Sequence, residues 1–417
     1  MERSEHALPS LPPVLREIRP PEVLSPSRFP DLRRCPLSVV HGLREEDLLP
    51  PNPLAILGEL IHAVRHELRG RPLGSDEEVR DAVDATFGAA KAKIEAELAG
   101  DPSTRRFVPL DRAIDRTSWL ERTTSLREWV AVSSGPSRTG AHRGRGYPRA
   151  MGEPGRNRSE TSPGVPIGSE RALRVPALRL SGRPDLIERG LDGVLHVVDF
   201  KTGRVADENG HPPEAYALQV RLYGLMIERI DPSATVKLWL QGNERVEVPW
   251  DEAARTETET LLNASLEGLP PGRNVPAESL AREGPHCGRC RIRHRCPRYR
   301  RVAPSWWRST STAGPVAPFD IWGGVLEAIP EGGLSYELLL LDAAGRKVRV
   351  SGLEAEPSVG DLRGDDFVWL FGLEPSEKLP HHGAFAHPRN FHGRSPGRSW
   401  PSALRLRVFV EEAGPSE

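Results

Sequence analysis

Leu57, Leu60, Ile61, Val64 and Leu68 recur at intervals of three and four residues, which gathers them on one face of a helix. Asp76 to Gly100 is rich in Ala, Glu and Lys and reads as a second helix, and Thr117 to Val130, with Trp119, Leu126 and Trp129, as a third. After about residue 170 the period shortens. Ala172–Gly182, Arg183–Gly190 and Gly193–Gly203 are short β-rich runs separated by glycine, the pattern of an antiparallel meander. Pro213 to Ile230 then predicts an amphipathic helix, Ala234–Gly242 a strand and Asp251–Gly268 a helix. Helices, three strands, a helix, a strand and a helix make an α/β core with a mixed sheet.

Proline and glycine punctuate the chain densely, 41 and 39 residues respectively, and between Ser133 and Ser169 almost nothing apolar remains to bury. That stretch predicts a mobile low-complexity insertion. From about Val316 the text changes again. Phe319–Ile329, Leu334–Gly345, Arg346–Ala355, Asp365–Glu374 and Ala403–Glu412 are five strand candidates, enough for a small barrel of the oligonucleotide-binding type, with a generic β-sandwich equally compatible. The expected organisation is a disordered tail over 1–20, a helical part over 21–132, the insertion over 133–169, a core over 170–302 and a C-terminal all-β domain over 316–412.

Charge balance is close to neutral, with 57 Lys+Arg against 58 Asp+Glu, so any polyanion affinity must come from a local basic strip. No run of 18 or more apolar residues occurs, and the polar, Pro-rich start lacks a signal-peptide core, so a soluble, cytoplasmic protein without membrane contact is expected. No Gly-x-x-x-x-Gly-Lys-Ser/Thr loop is present, which leaves no recognisable nucleotide-driven motor.

Candidate chemistry collects at the strand ends. Asp185 follows Gly182-Arg-Pro, and Asp199-Phe200-Lys201-Thr202-Gly203 closes the third β-run. A lone aspartate at a strand end is usually a turn residue, and a lone Asp-x-Lys a solvated face. Together they are more specific, because Asp199 and Lys201 project to one side of a strand and Phe200 to the other. Two carboxylates and an ammonium at one sheet edge suit metal-assisted phosphodiester hydrolysis. The carboxylates hold a hard Mg²⁺ (or Mn²⁺), and the lysine orients the nucleophile and offsets charge.

These motifs, followed about twenty residues later by Gln219 and Tyr223 one helical turn apart, resemble the PD-(D/E)XK nuclease superfamily, in particular its RecB/AddB-type branch. The resemblance implies a restriction-endonuclease-like mixed-sheet core. It implies Asp185 and Asp199 as metal ligands, Lys201 as the catalytic lysine, and Gln219 and Tyr223 positioning the DNA or the lysine. It also implies an early helical histidine after a glycine, matched by Gly58-Glu-Leu-Ile-His62, as a further ligand through its neutral imidazole. Glu170 corresponds to an upstream acidic residue of some relatives. The implied substrate is DNA, attacked exonucleolytically at ends or in single strands during repair, recombination or defence, with a helicase or recombination protein as partner. A catalytically silent DNA-binding scaffold that keeps the fold is the alternative; it has no need of Asp185, Asp199 and Lys201.

Three of the four cysteines, Cys287, Cys290 and Cys296, fall within ten residues, and Cys35 lies far upstream. Spacing alone suits zinc, with His286 or His294 as extra ligands, as well as iron–sulfur. One cysteine before the core and three after it resembles the four-cysteine members of the same branch, including CRISPR-associated exonucleases, which implies a structural [4Fe-4S] cluster. The run Arg289–Arg301 around these cysteines is strongly basic, with Tyr299 inside it and Trp306-Trp307 beyond. That composition predicts phosphate tracking with aromatic stacking on bases, against the bland reading of a solvated charged face.

Overall fold

A computed structural model describes residues 10–134 and 164–308, apart from loop positions 69–70, 72, 74, 101–103, 105–106, 203 and 243. In the C-terminal part it describes 320–332, 335–342, 347–354, 359, 362, 364, 366–371, 374–375, 390–392 and 407–411. The insertion expected over 133–169 lies outside the described residues except at its two ends.

The chain begins with a short strand β1 (Glu17–Ile18), then α1 (Phe29–Arg34) and α2 (Leu37–Val40). Residues 12–18, expected within a disordered tail, are held in place. Leu15 N donates to Arg295 O at 2.9 Å, Pro12 O accepts from Arg300 Nη1 at 2.9 Å, and Ile18 is buried. Arginines far along the chain satisfy these proline-rich backbone carbonyls, a partnership that local composition does not reveal.

The three predicted helices form as α3 (Pro53–Leu68), α4 (Asp76–Gly100) and α5 (Arg116–Ser134). The α3 stripe, Leu57, Leu60, Ile61, Val64 and Leu68, is fully buried against Phe107, Leu110, Ile114 and Val130. Such side chains contribute about 1.5–3 kcal/mol each on burial. Ser75 and Glu78 start α4 with a reciprocal capping box, Glu78 N to Ser75 Oγ at 3.1 Å and Ser75 N to Glu78 Oε2 at 3.2 Å.

The second core is a five-stranded mixed sheet in the order β2 (Gly168–Ser169), β5 (Leu186–Arg189), β6 (Leu195–Phe200), β7 (Val236–Gln241), β8 (Arg245–Val248). Helix α6 (Glu214–Ile230) crosses from β6 to its parallel neighbour β7; all other neighbours in the sheet are antiparallel. Val220, Leu222, Leu225, Met226 and Ile227 of α6 share one apolar cluster with Leu195, Val197, Leu238 and Leu240 of the strands. The expected meander is only partly realised. Its first run folds into a separate hairpin, β3 (Leu173–Val175) with β4 (Leu180–Gly182), because Pro176 interrupts the strand and Arg179 turns it at φ 56°. Strand β8 is an addition to the predicted elements, pairing along β7 from Arg245 to Val248. Helix α7 (Glu252–Leu266) follows, capped by Asp251 Oδ1 accepting from Ala254 N at 2.9 Å. Strand β9 (Val275–Pro276) pairs with β1, and α8 (Ala277–Leu280) and α9 (Pro297–Arg308) flank the cysteine segment.

The C-terminal part is a curled all-β sheet. Its five predicted strands form as β10 (Ile321–Gly332), β11 (Ser335–Asp342), β12 (Lys347–Glu354), β13 (Phe367–Phe371) and β16 (Arg407–Glu411). Two short strands, β14 (Glu374–Pro375) and β15 (Asn390–His392), complete the order β14-β15-β12-β11-β10-β13-β16. No helix among the described residues is long and apolar enough to cross a membrane.

Candidate active site

Asp185 stands where the β4 hairpin passes into β5, and Asp199 and Lys201 at the end of β6, the strand paired with β5. Phe200 N donates to Asp185 Oδ2 at 2.5 Å, which ties the two strand ends together. Phe200 itself turns toward the helical layer and meets Trp129 edge-to-face at 5.6 Å. Asp199 and Lys201 are thereby left on the side of α6. There Gln219 bridges them: its Nε2 donates to Asp199 Oδ1 at 2.8 Å and its Oε1 accepts from Lys201 Nζ at 2.9 Å. Lys201 Nζ also lies 2.6 Å from Asp199 Oδ2 and 4.6 Å from the Tyr216 ring centroid. The lysine backbone is fixed as well, by Lys201 N to Gln241 O at 2.8 Å and Arg65 Nη1 to Lys201 O at 3.1 Å.

Tyr223, one turn after Gln219, is buried and stands outside the lining of the cleft. Its hydroxyl is engaged by the Arg183 backbone and the Gln219 side chain, and burial followed by the Asp199 and Asp185 charges holds it well above the ordinary phenol range. It braces the turn that carries Asp185. This close approach explains Gly182: a Cβ there would lie 2.8 Å from Pro26 Cδ and 3.1 Å from the Tyr223 hydroxyl.

His62 projects from α3 into the same cleft, about 680 Å³ in volume, whose lining includes Asp185, Asp199, Lys201 and Gln219. Burial first, then Arg65, depresses its pKa, so the ring is neutral at physiological pH and fit to donate a lone pair. Glu170, exposed just after β2, donates its backbone N–H to Asp185 O at 3.2 Å and is felt electrostatically by both His62 and Asp185. Tyr216, Arg65, Arg34 and Arg204 also belong to the site or its walls and were missed in the sequence. Only Tyr216, three residues before Gln219 on the same helical face, carried a readable signal.

The donor set fits a hard divalent cation. Asp199 Oδ2 is buried and faces the Lys201 ammonium at 2.6 Å, and burial pushes its carboxyl up to about 6, with Lys201 opposing and the Asp185 charge adding to the rise. Asp185 is shifted upward too, again chiefly by burial. Two adjacent carboxylates whose charged forms are disfavoured gain from a cation between them. Among the described residues no three His, Cys, Asp or Glu side chains form a closed metal cage. Mg²⁺ does not require one, since it binds through one or two carboxylates and keeps several waters.

The four cysteines share one neighbourhood. Cys35 ends α1, and Cys287, Cys290 and Cys296 sit in tight turns between α8 and α9. None of the four is in a disulfide. Burial pushes Cys290 up to about 12 and Cys296 to about 11, and both, like Cys287, also feel Cys35. Backbone N–H groups point at the sulfurs, Arg282 N to Cys35 Sγ and Tyr299 N to Cys296 Sγ, each at 3.4 Å.

The basic run around them, predicted to track phosphates, spends most of its arginines on partners within the protein. Arg293 is buried and holds Asp320 through two bonds of 2.6 and 3.0 Å, and the buried Tyr299 donates to the same carboxylate instead of offering a stacking face. Arg291 pairs with Glu45, Arg298 with Glu283 and Arg301 with Glu278, while Arg295 and Arg300 cap Pro13 and Pro12 carbonyls. His294, a candidate zinc ligand, is buried edge-on to Phe371. The side chains of Trp306 and Trp307 lie outside the described residues.

Comparison with known families agrees with this geometry. The PD-(D/E)XK nuclease superfamily matches over residues 23–297, an interval that contains His62, both carboxylates, Lys201 and all four cysteines. No curated protein matches the chain. With a strand-end carboxylate pair, a lysine bridged to it by a helical glutamine, and a family match over most of its length, the chain belongs to the PD-(D/E)XK nuclease superfamily.

Proposed function

We propose that this protein is a Mg²⁺- or Mn²⁺-dependent deoxyribonuclease of the RecB/AddB type that degrades DNA from ends or along single strands. The observation that carries the reading is the Lys201–Gln219–Asp199 bridge beside Asp185, with burial pushing both carboxyls above the ordinary carboxylate range. Asp185, Asp199 and His62 would hold the cation, which when bound polarises the phosphoryl oxygen and acidifies a water. Lys201, anchored through Gln219, orients the nucleophile and balances charge developing on the phosphate. Tyr223 and Gly182 keep the Asp185 turn in register with β6. Strand separation is left to a partner such as a helicase, or to a substrate that is already single-stranded.

The test is digestion of end-labelled single-stranded and duplex DNA with Mg²⁺ or Mn²⁺. Wild type is expected to release short products, and Lys201→Ala to slow cleavage by about three orders of magnitude. Equal inactivity of both proteins would return the chain to a DNA-binding scaffold.

For the cysteines we favour a [4Fe-4S] cluster. The support is the one-plus-three arrangement, with Cys35 near enough to act electrostatically on Cys287, Cys290 and Cys296, which matches the four-cysteine members of that branch; four thiolates suit zinc as well. Anaerobically purified protein should be brown, absorb near about 400 nm and contain iron and sulfide. Colourless protein with zinc and no iron would overturn this assignment.

A further inference from the structure

A second cleft, about 1280 Å³, runs along the other side of α1. It shares Asp31 and Arg34 with the active-site cleft, so the two are joined across one helix. One wall is α1 with the turn before it and the segment after α2; the other is the cysteine segment from Pro285 to Ile292. Four arginines line it, Arg28, Arg34, Arg289 and Arg291, against two carboxylates, Asp31 and Glu45. Glu45 is taken by Arg291 at 2.5 Å, and Asp31 is held only by the exposed pair with Arg34 at 3.4 Å. Arg28 is exposed and uses one nitrogen on Ser38 O; Arg289 is exposed and makes no ion pair among the described residues. In a run whose other arginines are all engaged, Arg289 stands apart.

We propose that this cleft is the path of the single-stranded DNA on which the active site works, with Arg28, Arg34 and Arg289 binding successive phosphates. The inference rests on the nuclease reading for the identity of the polymer. Its support is independent of the catalytic residues: a walled, cationic cleft that shares Asp31 and Arg34 of α1 with the reaction site and is larger than the roughly 300–1,000 Å³ typical of small-molecule pockets. An extended polyanion fills such a cleft better than a compact ligand. Among the described residues no Phe, Tyr or Trp lines it, only the imidazoles of His41 and His286, so recognition is chiefly of backbone charge and indifferent to sequence.

The experiment compares full-length wild type with Arg28→Ala/Arg289→Ala and with Arg289→Glu, by fluorescence anisotropy on labelled single strands of about 4 to 20 nucleotides in metal-free buffer at several salt concentrations. Affinity should rise with strand length in wild type. In the double variant the longer strands should bind at least about tenfold more weakly, with the slope of log K against log salt reduced by about 1.4, or about 0.7 for each lost phosphate contact. Arg289→Glu, a substitution at a side chain that makes no ion pair among the described residues, should weaken binding at least as much as removing Arg289 alone. Cleavage of a trinucleotide, too short to leave the active-site cleft, should be unchanged in the variants. Unaltered affinity and slope for the long strands would overturn the proposal, as would inorganic phosphate competing as effectively as a strand. Failure of the nuclease reading shows separately, as absence of cleavage by wild type with strand binding intact.

Discussion

Asp199 and Asp320 are both almost fully enclosed, at 3% and 1% exposure, and each faces a cation, yet they are solvated in opposite ways. Asp320 has both oxygens occupied, by a two-bond Arg293 fork and the Tyr299 hydroxyl, and Arg293 also lies over the Phe371 ring at 5.6 Å. Asp199 has one oxygen bonded to Gln219, the other against the Lys201 ammonium at 2.6 Å, and a second carboxylate close enough to raise its pKa. A saturated buried pair fastens one part of a molecule to another; here it joins the cysteine segment to the start of the C-terminal sheet. Two buried carboxylates sharing one lysine keep more negative charge than that cation offsets, which is what a metal-dependent site needs.

The sharpest way to break this comparison is Asp199→Asn. It should reduce cleavage by about three orders of magnitude or more, as expected when a metal ligand is lost. In metal-free protein it should at the same time raise the melting temperature by a few degrees, because it removes a disfavoured charge. The sign of the pH dependence follows from the raised pKa, about 6 against an ordinary 3.8. Between those values the folded protein holds a proton that the unfolded chain has released, so this group favours folding more as pH falls through 6. The gain from Asp199→Asn is therefore larger at about pH 8 than at about pH 5 in matched thermal melts. An equal gain at both would mean the carboxylate is not electrostatically strained. Activity should run the other way and decline below about pH 6, where protons compete with the metal.

Asp320→Ala should do the converse. It strands a buried guanidinium and is expected to cost about 3–5 kcal/mol in denaturant unfolding, while any folded fraction keeps its cleavage rate on short DNA. Arg293→Met combined with Asp320→Leu should recover most of that loss, since it removes both charges together. If the double variant is as unstable as the single, the pair is not the fastening inferred here. Gln219→Ala gives the smallest effect, about 10–100-fold in rate with little change in stability, because it loosens the lysine without removing it. A loss as large as that of Lys201→Ala would promote Gln219 from positioning residue to direct participant.

Much of the site was legible in the chain because it depends on local spacing. Alternation put Asp199 and Lys201 on one side of a strand, and a four-residue interval put Gln219 and Tyr223 on one side of a helix. What spacing does not carry is partnership. Tyr223 and Gln219 looked alike as a helical pair, yet one is buried under Gly182 and Pro26 and the other reaches the lysine. The arginine-rich run looked like a DNA-facing strip, and its partners, Glu45, Asp320 and the proline carbonyls of the N-terminal segment, come from up to hundreds of residues away.

The sequence by itself determined the residue types of the reaction, the order of helices and strands, and the one-plus-three division of the cysteines, because these follow from short-range periodicity and side-chain chemistry. Only the tertiary structure decided which charges are neutralised. A guanidinium or carboxylate acts according to what fills its few hydrogen-bonding positions, and in this protein those partners arrive through long-range packing. That is why Arg293 and Arg289, four residues apart in one basic run, end as a buried staple and an exposed cation beside an open cleft.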